Sequence, residues 1–501
     1  MKKIFQYIIL GMSLLACLVA CYGLDDQDYA ELTPITITVA SDTITADLGI
    51  ELNYTGVTVT SDLDVSFEWD YGEIETGSTA SDHLFEDYET ISTSLTIDYT
   101  FTEIGTYLLR LRADNGESIE YYFFTLFVNS GYDEGIMVLS NDDDGNGDLT
   151  FIKTLTSEEQ AAGEEEVFDD VFGSVFPEYG QLGTGTAIFM SHYVASKVDG
   201  YVFLVATDDG KMWHIEPKTM EMYASVSLDE GMYAKEFGGE YTNTLGFGIY
   251  FVTNDGSVYR YDVQGAFNTY MESFTEPLTR CPHLYSAYNS AGSTVYAHPI
   301  PFSEDGIYTR KSGTQGVRGQ SVDGYKIVNA AYGRDYTMNY VYVLMESETE
   351  EDSYAIYRSS ERFSSTTLFK SSMSEIRTFT VDGGVRMDLN SIMVNTRNSS
   401  DTYYTYNDCV YRWGLSTAPG TSPVITLPDG EEIRSMCTNF MGRDDPTNGE
   451  DYLYIATYNS SRSGDKKGSL YVYAVADETL YKSYEGIFYD PVQIVYKYRL
   501  N

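Results

Sequence analysis

The chain has 501 residues, 43% of them hydrophobic, which is ordinary for a folded protein and long enough for two or more cores. Against 76 acidic residues stand 31 basic ones, a formal charge of −45. A field of that sign repels phosphate backbones and anionic membrane surfaces, so nucleic acid is excluded as the expected partner, and the same charge keeps a surface rich in tyrosine in solution.

At the start, Lys2-Lys3 precede an apolar stretch from Ile4 to Ala20, the charge-then-hydrophobic order of a secretory signal. The stretch ends in Leu18-Val19-Ala20-Cys21. This resembles the lipobox of bacterial lipoproteins, in which small residues before the cysteine admit the peptidase and the thiol is acylated, and it implies residues 1–21 as the signal peptide and Cys21 as the lipidated residue. Leu14-Leu15-Ala16-Cys17 also fits, but cleavage there leaves a shorter apolar region. An ordinary signal peptide with incidental cysteines is the alternative. Two or more acyl chains on Cys21 would hold the protein to a membrane stably. Asp25, Asp26 and Asp28 lie in the tether, residues 22–30, and resemble the surface-export signal of Bacteroidetes lipoproteins.

From residue 31 to 130 the text is strand-like. Ile35–Val39, Ile50–Tyr54 and Val65–Trp69 alternate apolar and polar residues, as half-buried strands do. Phe67-Glu68-Trp69-Asp70-Tyr71-Gly72 is followed by Tyr99-Thr100-Phe101 and by Gly105-Thr106-Tyr107-Leu108-Leu109-Arg110-Leu111. Tyr107, Leu109 and Leu111 then share one face, Gly105 makes the turn before them, and Trp69 is placed to fill the space between two sheets. The stretch resembles a divergent PKD-type immunoglobulin-like sandwich, which lacks here the usual Gly-Asp-Gly continuation after Gly72. Such domains serve as spacers or binding modules.

Residues 131–501 repeat a hairpin. Val202–Thr207 meets Asp208-Asp209-Gly210 and resumes as Lys211–Ile215; Ile249–Thr253 meets Asn254-Asp255-Gly256 and resumes as Ser257–Tyr261. Asp-Gly between β-rich runs predicts a tight turn with positive φ at both central residues. Five further copies have turns near Gly145, Ala291, Thr349, Asn407 and Ser463. A propeller blade takes roughly 40 to 50 residues, so the spacing predicts a β-propeller of seven blades, with six or eight open. Val492–Tyr498 is the candidate closing strand, pairing with the first blade to remove open edges. The expected fold is therefore all-β, an immunoglobulin-like sandwich followed by a β-propeller. That order of parts, after a lipobox, resembles the PKD-like family lipoproteins of Bacteroidetes, typically encoded near outer-membrane nutrient-import pairs. The resemblance implies a lipid-anchored outer-membrane protein at the cell surface and supplies no substrate.

The best chemical signal is Asp142-Asp143-Asp144-Gly145-Asn146-Gly147-Asp148-Leu149. Asp142, Asp144, Asn146 and Asp148 alternate as in a calcium loop, but Lys153 stands where an EF-hand needs a bidentate Glu, and a plain acidic turn competes with the calcium reading. No other cofactor is expected. Glu158-Glu159, Glu164-Glu165-Glu166 and Asp169-Asp170 mark a charged, helix-like insertion expected to be a solvated loop or short helix between blades. Cys281, Cys409 and Cys437 lack metal-type spacing and read as buried thiols or one disulfide with a thiol left over; His83, His192, His214, His283 and His298 are equally scattered. No Gly-x-Ser-x-Gly elbow is present. No catalytic residue is singled out. The expected function is binding of a glycan, a peptide or an importer subunit through the propeller; a glycan hydrolase or lyase on the same propeller is the alternative, and an accessory subunit without its own ligand a third. Convergent acids or histidines in the central channel would favour catalysis, and an aromatic, carboxylate-poor lining would favour binding.

Overall fold

A computed structural model describes residues 32–73, 89–129, 131–163, 166–195, 198–217, 220–242, 246–263, 267–272, 302–310, 317–335, 338–360, 373–395, 401–439 and 451–498. The proposed leader and Cys21 lie outside these residues. The chain divides into two compact units, Met1–Val128 and Asn129–Asn501. Among the described residues no helix is long and apolar enough to cross a membrane.

The first unit is a β-sandwich. Its strands are β1 (Thr36–Val39), β2 (Thr43–Asp47), β3 (Glu51–Tyr54), β4 (Val57–Thr60), β5 (Ser66–Glu73), β6 (Glu89–Ser92), β7 (Ile97–Thr100), β8 (Gly105–Asp114) and β9 (Ile119–Asn129). A five-stranded sheet in the order β2-β9-β8-β5-β6 accompanies the pairs β1-β4 and β3-β7. The inward faces meet in one core: Trp69, Leu109, Leu111, Leu126 and Val128 from the large sheet, Val57 and Ile97 from the pairs. Trp69 is fully buried, with its ring 5.4 Å from Phe124 and 6.4 Å from Tyr54. Gly105 does not form a turn but opens β8, opposite Val128. Tyr107, two residues on, donates from Oη toward the carbonyls of Glu103 and Ile104, both at 3.2 Å, and so ties the strand to the chain that enters it. On the sheet's other face Asp70 stands opposite Arg110 in register, and the two form a buried ion pair, with the Thr90 hydroxyl donating to Asp70 at 2.8 Å.

The second unit contains seven antiparallel sheets among the described residues. The first joins Gly135–Asn141, Gly147–Lys153 and Val167–Phe168 to Asp490–Lys497 from the end of the chain. The second runs Gly185–Ala195, Val198–Thr207, Lys211–Ile215 and Met222–Ser227, and the third Ala234–Thr242, Gly246–Thr253, Val258–Asp262 and Phe267–Glu272. The fourth shows Phe302–Ser303, Gly306–Arg310 and Val317–Gln320. The fifth begins with Tyr325–Asp335, the sixth with Met393–Asn395 and the seventh with Glu432–Thr438.

Most of these strands are apolar on both faces because each sheet is covered twice. In Met338–Ser347, Val341, Val343 and Met345 pack with the fourth sheet's Phe302 and Ile307, while Tyr342 and Leu344 pack with Tyr404 and Trp413 of the sixth. The two-residue side-chain period sends alternate residues to opposite neighbours, each large apolar side chain buried this way being worth about 1.5–3 kcal/mol. The ring closes where Ile136 and Val138 of the first sheet, Ile494 and Tyr496 of the terminal strand, and Tyr454 and Leu470 of the seventh share one core. The terminal strand pairs with Gly135–Asn141, with Met137 opposite Val495. Sheets packed face to face around a ring, closed by a strand from the far end of the chain, make a β-propeller.

The repeated turns differ in detail from expectation. Gly210 N–H bonds to the Thr207 carbonyl at 3.1 Å and Gly256 N–H to Thr253 at 2.9 Å. Only the glycines, at φ +82° and +81°, occupy the left-handed region; the aspartates before them do not. The turns are thus of the type I kind followed by a left-handed glycine. The aspartate side chain serves the loop: Thr207 Oγ1 donates to Asp209 at 2.6 Å, and Lys211 N–H to the same oxygen at 3.3 Å. The copy expected near Ala291 lies outside the described residues; the described hairpin of the fourth sheet turns at Glu304-Asp305, pairing Ser303 with Gly306.

Candidate functional site

The strand nearest the ring axis is the first of its sheet in chain order, or in the first sheet the terminal strand Asp490–Lys497, and in five sheets it carries a β-bulge within its first four residues. Register breaks leave Thr186, Lys235, Val328, Arg434 and Val492 without cross-strand partners. A bulge ends regular pairing and re-aims side chains, so the bulged residues crowd the mouth on which the Asp-Gly turns lie. Deeper in, adjacent inner strands are tied by a belt of hydrogen bonds. Ile188 N–H donates to Gln493 Oε1 at 3.1 Å, Thr186 Oγ1 to the Ala234 carbonyl at 2.7 Å, and Asn329 Nδ2 to the Ser391 carbonyl at 3.1 Å. Thr438 Oγ1 donates to the Asn395 carbonyl at 3.1 Å, and Ile494 N–H to Ser435 Oγ at 3.1 Å.

Inside this belt lies a cavity of about 330 Å³, lined by residues of all seven sheets. Its polar wall is made chiefly of hydroxyls and amides, among them Asn390, Asn395 and Gln493, and its apolar wall includes Phe189, Phe237 and Tyr498. Among the described residues Glu236 is the one carboxylate in the lining and no histidine contributes; the side chain of His192, on the inner strand Gly185–Ala195, lies outside them. Of the two cations, Arg434 is neutralised by Asp490 at 2.9 Å and Glu432 at 3.0 Å and lies 5.4 Å from the Tyr458 ring, whereas Lys235 is exposed. Cys437 also lines the cavity; burial pushes its thiol far up, which keeps it protonated and a poor nucleophile.

The residues singled out from sequence fall elsewhere. Asp142 Oδ1 accepts from the N–H groups of Asp144 at 3.0 Å and Asn146 at 2.7 Å, and Asn146 Nδ2 donates to Oδ2 at 2.9 Å, so this carboxylate holds its own turn, and those bonds lower its pKa. Asp148 is the second residue of the next strand, Gly147–Lys153, accepts from the Thr150 hydroxyl at 3.2 Å, and is pushed up in pKa by burial. Among the described residues no group of three or more His, Cys, Asp or Glu side chains is set to hold a metal ion.

The described part of the acidic insertion contains short helices, as one of the two expectations had it, but its acids are held by partners rather than simply solvated. Thr156 and Glu159 form a capping box on the helix α1 (Ser157–Ala162), and Glu159 also pairs with buried Lys153 at 2.8 Å, which holds its carboxyl at about 2 despite partial burial. Asp170 caps the helix α2 (Val171–Val175). Glu166 accepts from Lys482 and Tyr484 at 2.5 Å each, and Asp169 pairs with Lys466 at 2.5 Å. The insertion therefore clasps the first sheet to the seventh, across the ring closure.

Cys409 and Cys437 are free thiols, and Cys281 lies outside the described residues, as do His83, His283 and His298. His214 is buried between the second and third sheets, its Nδ1 2.8 Å from Tyr261 Oη; burial lowers its pKa to about 4. Lys235, Asn395 and Gln493 were not identifiable from sequence. They are far apart in the chain, and neither a bulge nor a belt leaves a local signature.

The described residues thus define an all-β protein whose larger unit is a β-propeller with a small, charge-poor central cavity. No protein-family model matches the chain, and no curated protein matches it. Among solved structures it is similar to a quinoprotein alcohol dehydrogenase-like protein from Bacteroides thetaiotaomicron, at 14% identity and TM-score 0.43, over 93% of this chain and all of that one. It is also similar to the β-propeller domain of Cps50 (Swd1) from Myceliophteria thermophila, at 11% identity and TM-score 0.36, over 59% of this chain and 86% of that one.

Proposed function

We propose that the protein is a lipid-anchored outer-membrane binding protein, tethered through Cys21, which takes its ligand at the propeller channel and serves nutrient uptake at the cell surface. The observation that carries this reading is the channel lining, where among the described residues amides, hydroxyls and aromatic rings accompany a single carboxylate. Hydrolysis of a glycosidic bond uses two carboxyl groups flanking one bond, and the described lining does not offer that pair. The finer architecture belongs to the same proposal. Seven sheets correspond to seven blades. The sandwich is read as PKD-type on the fully buried Trp69 and on Tyr107, whose hydroxyl reaches back to its own entry strand as in a tyrosine corner. The tether and the Cys21 anchor rest on the sequence pattern.

The test is a glycan and peptide binding screen on protein lacking residues 1–21, with product analysis of the same mixtures. Binding without turnover is expected, and cleavage products would overturn the reading. Fatty-acid labelling tests the anchor separately: Cys21→Ala should abolish it, and a Cys21→Ala protein that still labels would overturn the assignment.

A further inference from the structure

We infer that the channel ligand is a neutral, hydroxyl-rich molecule the size of one or two sugar rings. This rests on the reading that the propeller binds at its channel and narrows it to one chemistry. Size comes first: about 330 Å³ is at the small end of the range for small-molecule sites, roughly 300–1,000 Å³, and suits a short saccharide.

The hydrogen-bonding groups left over in the wall decide the class. Asn329 is fully committed, donating to the carbonyls of Asp388 and Ser391 and accepting from Ala330 N–H. Thr186, Ser435 and Thr438 are committed to the belt. Gln493 is committed only through Oε1, which leaves both Nε2 donors without a partner among the described residues. The side-chain amides of Asn390 and Asn395 have no protein partner there either; Asn395 contributes only its backbone carbonyl to the belt. Primary amides carry donors and an acceptor side by side, which matches hydroxyls that both donate and accept. The half-buried ring of Tyr498 adds apolar surface of the kind that sugar C–H groups pack on, while Phe237, buried against Phe189 and Phe251, closes the wall behind.

Charge argues the same way. An acidic ligand would need cations in the wall, but Arg434 already faces two carboxylates, which leaves the exposed Lys235 as the one other cation in the described lining, within a protein of net charge −45. A peptide would bind by adding a strand to an inner edge, and the bulges at Thr186, Lys235, Val328, Arg434 and Val492 interrupt those edges at the mouth.

The experiment uses the full chain after residue 21 in calorimetric titrations with maltose, cellobiose, lactose and mannobiose, with digalacturonate, and with tetra-alanine. Gln493→Glu keeps the acceptor that Ile188 needs and removes the Nε2 donors; Asn395→Asp does the equivalent at its site. At least one neutral disaccharide should bind, with an affinity that changes less than twofold between low and high salt and falls roughly tenfold in each variant, as expected for one lost hydrogen bond that leaves a partner unpaired. Thermal unfolding of both variants should match the parent, which separates loss of binding from loss of fold. Salt-dependent binding of digalacturonate, or binding of tetra-alanine, weakened by the same variants would overturn the saccharide inference while leaving channel binding intact. Saccharide binding untouched by both variants would overturn the channel itself as the site. No binding in any arm would overturn the saccharide inference, and the channel reading would then stand or fall on the wider screen.

Discussion

Tyr496 donates its hydroxyl hydrogen to Glu134 across 2.6 Å, joining residues 362 positions apart at the point where the ring closes. Tyr496 lies in the ladder between the terminal strand and the first strand of the unit, opposite Ile136, Glu134 immediately precedes that ladder, and beside them buried Lys497 donates to the Asp133 carbonyl at 3.0 Å. The propeller thus holds its two ends together with side-chain bonds as well as with a β-ladder. Tyr496→Phe should keep the tilted ring contact with Tyr454, 5.6 Å away, and lose the hydroxyl's hydrogen bonds, chief among them the charged one to Glu134. We expect a loss of about 1.5–3 kcal/mol in denaturant unfolding. An unchanged midpoint would show that this bond does not contribute to closure.

The His214–Tyr261 pair predicts acid sensitivity. His214 has a folded pKa of about 4, lowered by burial from an ordinary 6.5, so the unfolded chain binds a proton that the folded one refuses. The associated stability is fully present above pH 6.5 and is lost as pH falls from there toward 4, on the order of 3 kcal/mol. His214→Gln should remove this pH dependence. Equilibrium denaturation of both proteins at pH 7 and pH 4.5 checks it, and parallel losses would place the acid sensitivity elsewhere.

In the sandwich, Asp70→Ala should be more damaging than a surface charge deletion. Arg110 is left in place with 12% of its side chain exposed, without the carboxylate that faces it across the sheet. Breaking a buried pair from one side costs about 3–5 kcal/mol. Replacing both residues, Asp70→Val with Arg110→Leu, should recover much of that loss, and a double variant no better than the single one would contradict the desolvation argument.

Two glycines separate backbone strain from contact. Gly210 and Gly231 have similar φ values, +82° and +79°, but a Cβ on Gly210 would lie 2.6 Å from the Met232 carbonyl oxygen while one on Gly231 meets nothing within 4 Å. Gly231→Ala should cost about 1–2 kcal/mol from the left-handed backbone alone. Gly210→Ala should cost clearly more, because its turn must move away from the loop into the next sheet. Thermal unfolding of the pair measures the difference directly.

Much of the architecture was legible in local text. The alternation in Val65–Trp69 and Tyr107–Leu111 marked sandwich strands, and six of the seven predicted hairpins coincide with observed ones, because period-2 patterning and Asp-Gly turns are local consequences of covalent geometry. The hairpin expected near Ala291 lies outside the described residues, and the fourth sheet's described hairpin at Phe302–Ser303 opens on a two-residue strand that carries too little pattern to see. In the acidic insertion the short helices were expected and the partners were not. Composition shows charge but not partners, and Lys466, Lys482 and Tyr484, which hold it, come from the opposite end of the chain.

The sequence by itself determined that the chain is all-β, that its larger part repeats, and that its last strand returns to the first repeat. Only the tertiary structure decided where Gln493, Asn395 and Lys235 meet, which acids are structural clasps, and that the channel is poor in carboxylates. Strand and turn preferences act over a few residues and are written locally, whereas a channel wall is assembled from one or two residues per sheet, and that convergence exists only once the ring has closed.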